Sequence, residues 1–433
     1  LVIKRLFSIP DKKPIVFIPG LFGSLGDEIL PGTGKFSFGL AEHVYRPIID
    51  NLEELGYKKD KDLFIAFYDW RKDIFYCTQK YLIPTITKVK EITGAKKVNL
   101  VCHSLGGLVA RAYIQSYLYA YDVDKLILFG TPNRGSVDAY YFWEGGNYPE
   151  KEKTFNFLYQ ILWEGFVYFF KLLYGEKNEL KLLHNYFPSI KQLLPSYDYG
   201  DYIFYESSNR TKHFIPIQRM EVKNEFLNTL NRRKYQIYLR GVRVYLISSK
   251  GYKTNKFICV DRNNRYKNLW IDGKPFYNVT TLLGDGTVTN SSAYGIYGKR
   301  YFLKGDHVDI LKESKSVLTN IFNRRIEYKK HKREEVNYIH SILAKDVSNI
   351  EIMQSNKGRY ISEDLEDGEV TAKRVGKNNL WVLVKQRGKK GLRISFTPLK
   401  NKKGSIVVCS GGKRKGIKKI RNISKDKKFT LNT

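Results

Sequence analysis

The stretch Val98-Asn99-Leu100-Val101-Cys102-His103-Ser104-Leu105-Gly106-Gly107 constrains this chain more than any other. Val98 to Val101 is a short apolar run, the pattern of a buried strand. Leu108, Val109, Ala112 and Tyr113 then recur at helical spacing. One serine, Ser104, stands between them. That is the form of a nucleophile elbow, a sharp strand-to-helix turn that exposes a serine hydroxyl. The two backbones approach closely there, so the residues two before and two after the serine must be small. Gly106 satisfies this, whereas Cys102 stands where the usual pattern has glycine. These ten residues alone fit equally well a glycine-containing connection with an idle serine.

The flanking sequence repeats the alternation. Pro14 to Pro19 reads as a buried strand, followed by the tight loop Gly20-Leu21-Phe22-Gly23-Ser24. A helix is expected from about Ala41 to Leu55, and a strand from Leu63 to Phe67 that ends in Tyr68-Asp69-Trp70-Arg71. Another helix spans about Tyr76 to Ile92, then come the elbow and a strand from Lys125 to Phe129 closed by Gly130-Thr131-Pro132. Alternation at this spacing implies an α/β fold with a mostly parallel sheet covered on both faces. Right-handed crossovers bring all strand ends to one edge, the edge where such sheets bind ligands. Gly20, Trp70, Ser104 and Gly130 all follow strand ends and are expected there.

The rhythm stops after Ser136. Residues 137–240 read as an inserted helical cap or lid over that edge. Within it, Thr154 to Tyr174 is apolar in 15 of 21 positions, so it is expected either between protein layers or against lipid. The sheet resumes at Val242 to Ile247. A hairpin is expected from Phe257–Val260 through a turn near Asn263-Asn264 to Leu269–Ile271. The glycine turn Gly284-Asp285-Gly286 follows, then a last strand from Arg300 to Leu303 and a helix over about 308–323. The catalytic core is thus expected in residues 1–136 and 241–324. A charged linker helix is expected over 325–344, and a small basic antiparallel β domain over 345–433.

The chain carries 75 basic and 43 acidic residues, a net charge of +32, which attracts polyanions such as anionic membranes or cell-wall polymers. Residues 326–433 hold 27 of the basic and 11 of the acidic residues. Nucleic acid ranks below those partners, because few aromatics interleave with the basic residues of the tail. Four scattered cysteines without a Cys-x-x-Cys indicate neither a zinc site nor a disulfide framework, and no cofactor is expected. No 18-residue apolar run is present, so no membrane span is expected. The first residue is leucine, which suggests a removed signal peptide or a trimmed chain. An extracellular or cell-surface location is the corresponding expectation.

A serine hydroxyl needs a base within hydrogen-bond reach, and the base needs a group to orient it. Of seven histidines, His307 alone follows a late core strand on the active edge. His103 adjoins Ser104, but at an elbow its ring is expected to point away. Asp285 sits between the resumed strand and His307, although Asp69, Asp272 and Asp306 compete with it. The order Ser104, Asp285, His307 is the order expected on such a sheet. The backbone N–H groups of Leu21 and Leu105 are the candidate oxyanion donors.

The chain resembles the lecithin:cholesterol acyltransferase-like branch of the α/β-hydrolases. The resemblance lies in Phe-Ile-Pro-Gly-Leu-Phe-Gly (17–23), Tyr-Asp-Trp-Arg (68–71), His-Ser-Leu-Gly-Gly (103–107), Gly-Thr-Pro-Asn-Arg-Gly-Ser (130–136), Gly-Asp-Gly-Thr-Val (284–288) and His307. It spans residues 15 to about 320. It implies Ser104 as nucleophile, His307 as base and Asp285 as acid. It also implies cleavage of a lipid ester through an acyl-enzyme, or transfer of the acyl chain to an alcohol. A reading of another class is a polyanion-binding surface protein whose hydrolase fold is secondary.

Overall fold

The computed structural model describes residues 12–147, 149, 157–261, 269–324, 338–354, 357–366, 369–386, 392–412, 415–423 and 429–431. Six strands make the central sheet: β1 (Ile15–Ile18), β2 (Leu63–Ile65), β3 (Val98–His103), β4 (Val123–Phe129), β5 (Arg243–Ser249) and β6 (Lys299–Leu303). Their order is β6-β5-β4-β3-β1-β2, and every neighbouring pair is parallel. Every residue of β1 and β3 is buried, as parallel strands covered on both faces require. The register sets Ile18 beside Cys102 and Phe129 beside His103, so the loops after β1, β3 and β4 leave from one edge.

Helices cover the two faces. α1 (Glu42–Glu54) buries Val44, Tyr45, Ile48, Ile49 and Leu52. The helix expected from Tyr76 to Ile92 is instead a short turn Ile74–Cys77, a π-helical turn Thr78–Leu82 and α2 (Ile83–Thr93). α3 (Leu105–Gln115) follows the elbow and is buried at every residue. The helix expected over 308–323 breaks into Asp309–Lys312 and Lys315–Phe322, with a buried Ser314 between them. No described helix is long and apolar enough to cross a membrane.

Other expectations are corrected. The hairpin pairs Thr254–Asp261 with Lys274–Thr281, not with Leu269–Ile271, and its expected turn lies outside the described residues. It joins Ile203–Glu206 and Lys212–Ile215 from the insertion in a separate four-stranded sheet, where no strand rhythm was legible. The expected linker helix is not helical at its C-terminal end. Residues Tyr338–Lys345 form a strand, β7, while 325–337 lie outside the described residues. Packing explains this: the strand has a partner on each side and is buried on both faces, with Ile339 and Leu343 on one and Ile342 on the other.

The C-terminal region is antiparallel throughout. β7 lies between β8 (Asn379–Gln386) and β9 (Ser405–Gly412) in a six-stranded sheet, and a four-stranded sheet packs with it. Ile342, Val382, Ile394 and Val408 form a core of its own. The opposite face of the large sheet belongs to the main core. Leu343, Trp381 and Cys409 cluster there with residues of the parallel-sheet half.

What lies between is the greasy helix of the insertion, α5 (Phe157–Tyr174), which follows α4 (Asp138–Gly145). Ile161, Trp163, Phe166, Phe169 and Phe170 are all buried. One side meets the half that carries the parallel sheet: Phe166 stacks on Phe22 at 5.4 Å and meets Trp70 edge-on at 4.9 Å. The other side meets Trp381, whose ring lies 4.9 Å from Phe166 and 5.5 Å from Phe169. A Cβ at Gly165 would overlap the Trp381 indole, so glycine here permits the approach. The indole N–H donates to Ser341 Oγ at 2.9 Å. A helix apolar nearly all round is therefore accommodated between two protein layers. Trp381→Ala should cost about 3–5 kcal/mol, typical of truncating a buried aromatic, measurable by denaturant unfolding.

Candidate active site

β3 ends at His103, and Ser104 adopts φ 51° and ψ −122° before α3 begins. Positive φ is costly for a residue with a Cβ, and such strain persists only where the surroundings enforce it. The enforcement comes from packing. A Cβ at Gly106 would stand 2.5 Å from the carbonyl oxygens of Ile18 and Pro19, so α3 passes directly against the end of β1. Cys102, on the buried strand below, is wholly inaccessible, and burial pushes its thiol far above the ordinary range. It fills space and has no thiolate chemistry.

Ser104 Oγ lies 3.0 Å from His307 Nε2, and His307 Nδ1 lies 2.8 Å from Asp285 Oδ2. These three side chains, distant in sequence, form one hydrogen-bonded line. Asp285 is fully buried, and its Oδ1 accepts from the N–H groups of Val288 (2.7 Å) and Thr287 (3.0 Å). Burial alone would raise its carboxyl, but His307 and those two N–H groups outweigh it and hold it below the usual value. Its backbone carbonyl also accepts from His307 N–H at 2.8 Å, which fixes the loop carrying His307. Gly130 stands at φ +56°, and a Cβ there would come within 2.9 Å of the His307 ring.

The competing aspartates are occupied elsewhere. Asp69 Oδ1 and Oδ2 accept from Arg71 Nε (2.8 Å) and a terminal nitrogen (2.7 Å). Arg71 also donates to the Glu28 carbonyl and to Tyr174 Oη, each at 2.7 Å, tying the end of α5 to the loop after β1. Tyr68 Oη donates to the Pro19 carbonyl at 2.8 Å and Trp70 Nε1 to the Ser24 carbonyl at 2.9 Å. Tyr-Asp-Trp-Arg thus braces the 19–28 loop. Asp272 accepts from the N–H groups of Glu221 and Val222. Asp306 accepts from Val308 and Asp309 N–H groups. Burial, with Asp309 beside it, pushes its carboxyl up to about 7.

Leu21 and Leu105 frame the serine from the β1 loop and the start of α3. Leu105 is the first residue of that helix, so its N–H has no carbonyl one turn back to pair with. A cavity of about 60 Å³ opens over Ser104 and His307. Its lining is mainly apolar and includes Leu21, Phe22, Phe142, Tyr159, Leu193 and Val288. Tyr159 comes from α5, its ring 5.8 Å from Phe22 and 6.4 Å from His307. Among the described residues no cluster of His, Cys, Asp or Glu could hold a metal ion. The four cysteines are all buried, and no disulfide joins them.

Tyr45 carries no readable signal in sequence, and His103 is legible there only as a neighbour of Ser104 whose ring points away. Tyr45 on α1 reaches Gly20 N–H at 3.0 Å, and His103 contacts both Tyr45 and His307. Nothing in the periodicity of α1 distinguishes Tyr45 from a core residue.

The all-parallel sheet with this strand order, and the tight turn at Ser104 after a central strand, have the architecture of the α/β-hydrolase fold. Residues 34–153 match the model of the lecithin:cholesterol acyltransferase family, so that part of the chain is similar to it. The matched segment runs from the loop before α1 through the elbow into the insertion. Similar solved structures include a Bacillus licheniformis lipase in mature form, at 16% identity and TM-score 0.39, covering 72% of this chain and 93% of that one. The same lipase in propeptide form gives 14% identity and TM-score 0.38, covering 98% and 96%. A Bacillus subtilis carboxylesterase gives 8% identity and TM-score 0.31, covering 73% and 84%. No curated protein matches the chain.

Relief of the strain at Ser104 gives a prediction independent of activity. Ser104→Gly should raise unfolding free energy by about 1 kcal/mol, because glycine occupies this φ,ψ without a Cβ penalty. Calorimetry on the two proteins at one pH checks it.

Proposed function

We propose that the protein cleaves carboxylic esters of lipids through an acyl-enzyme. The single observation that carries this reading is the hydrogen-bonded line Ser104–His307–Asp285 beneath a mainly apolar cavity. Ser104 Oγ attacks the ester carbonyl carbon while His307 Nε2 takes the hydroxyl proton. Asp285 holds His307 with Nε2 toward the serine and stabilises the imidazolium that forms. The N–H groups of Leu21 and Leu105 receive the oxyanion. Collapse of the tetrahedral intermediate breaks the ester C–O bond, and His307 returns its proton to the leaving alcohol. Water, deprotonated by His307, then attacks the acyl-serine carbonyl. The carboxylic acid leaves and Ser104 regains its hydrogen. The cavity walls Phe142, Tyr159, Leu193 and Val288 suit an acyl chain.

A fluorophosphonate probe tests the nucleophile. Wild type should label, whereas Ser104→Ala should not, and both Ser104→Ala and His307→Ala should lose at least about 10⁴-fold in kcat on a soluble ester. Equal labelling of wild type and Ser104→Ala overturns the mechanism. Transfer of the acyl chain to an alcohol is the alternative outcome of the second half-reaction, distinguished by product analysis with a competing alcohol.

The charge of +32 supports a further part of the reading: work at an anionic surface outside the cell or on it. Full-length protein should bind vesicles rich in phosphatidylglycerol at low salt and release as ionic strength rises. Equal binding to neutral phosphatidylcholine vesicles, or none at low salt, contradicts it.

A further inference from the structure

His103 is wholly buried beside the reacting serine, and the ester-cleaving steps make no use of it. Its ring nevertheless joins two parts of the machinery. His103 Nε2 lies 2.9 Å from the backbone carbonyl oxygen of His307. A carbonyl only accepts, so Nε2 carries the proton and Nδ1 is the acceptor. Nδ1 lies 3.2 Å from Tyr45 Oη, which therefore donates its hydroxyl proton to it. Tyr45 Oη in turn accepts from Gly20 N–H at 3.0 Å. Every proton in this run has one consistent direction: Gly20 to Tyr45, Tyr45 to His103, His103 to His307.

The two ends are informative. Gly20 immediately precedes Leu21, whose N–H is the oxyanion donor, and a Cβ on Gly20 would stand 2.9 Å from Ser104 Cβ and 3.1 Å from His103 Nδ1. The His307 carbonyl belongs to the residue that moves the proton. We infer that His103 is a positioning residue, holding the oxyanion loop and the catalytic base in register through Tyr45 and the His307 carbonyl. Hydrogen bonds in such a buried chain polarise one another, so the geometry of one end depends on the other.

Charge supports the assignment. His307 carries a positive charge midway through acylation, and the His103 ring centroid is 4.9 Å from its own. A second cation there would oppose that charge. Burial, reinforced by the nearby His307 charge, depresses His103 to about 3, so it is neutral whenever His307 cycles. The neutral ring is also what the hydrogen-bond directions require, because a protonated ring would have no acceptor for Tyr45.

This inference rests on the ester-cleaving reading, and the test separates the two. His103→Phe keeps the ring's bulk and removes both hydrogen bonds. His103→Gln places an amide N–H where Nε2 stood and restores the donor to the His307 carbonyl. With a soluble p-nitrophenyl ester, His103→Phe should lose roughly 10- to 100-fold in kcat with KM within about twofold. His103→Gln should recover most of that loss. Tyr45→Phe, which leaves the His307 bond and breaks the link to Gly20, should fall between wild type and His103→Phe. The His307 Nδ1 proton resonance in nitrogen-15-labelled protein gives a readout that needs no turnover. It should shift or broaden in His103→Phe and return in His103→Gln. If His103→Phe does not fold, His103→Gln and Tyr45→Phe decide on the same two readouts: near-wild-type kcat with an unmoved resonance in Tyr45→Phe overturns the inference. A folded His103→Phe with wild-type kcat and resonance, or a His103→Gln as impaired as His103→Phe, also overturns it. Absence of fluorophosphonate labelling in wild type counts against the ester-cleaving reading, while the resonance still decides the positioning role.

Discussion

The close approach of α3 to the end of β1 at Gly106 is the constraint on which the site depends. With no side chain at that position, the helix starts against the Ile18 and Pro19 carbonyl oxygens, and Ser104 is driven into a conformation that residues with a Cβ avoid. Buried strands on either side and a wholly buried helix above supply the packing that sustains it. The strain holds the hydroxyl outward at the sheet edge, within reach of His307. The loop after β1 is fixed by the same contact, since Pro19 and Gly20 are part of it.

The other components are braced from outside the elbow. Tyr68, Asp69, Trp70 and Arg71 hold the loop after β1 at several points along it. Asp285 is held by backbone N–H groups on one oxygen and by His307 on the other, leaving the carboxylate little freedom to turn. The helix that roofs the cavity is held from two directions, by Phe22 and Trp70 below and by Trp381 above. The C-terminal sheets thus share the core of the parallel-sheet half on one face while keeping a small core of their own. The roof of the cavity depends on a tryptophan more than two hundred residues away from it.

Much of this is legible in the sequence. Parallel buried strands announce themselves as apolar runs, because both faces are covered and no alternation survives. The elbow, the glycine turn at Asp285 and the histidine after the last strand were each readable as local patterns, and their order linked them. Residues 338–344 read as helix because a charged stretch precedes them, and the strand, buried on both faces, shows no period-2 alternation to oppose that reading. The hairpin partner was misplaced for a related reason: the true strand, Lys274–Thr281, is half-buried and carries no clean apolar signal. Strands within the insertion were missed because they are short and join a sheet whose other members are far along the chain.

The sequence by itself determined the sheet, its active edge and three candidate side chains, since these follow from periodicity, turn chemistry and chain order. Only the tertiary structure decided which aspartate faces His307, because four candidates differ in what surrounds them and not in their own residue type. It alone revealed the Gly20–Tyr45–His103–His307 run, whose members lie on a loop, a helix, a strand and another loop. It likewise decided that α5 is enclosed by protein. An apolar helix carries the same composition whether its outer face meets lipid or Trp381, and the partner is selected by packing between distant parts of the chain.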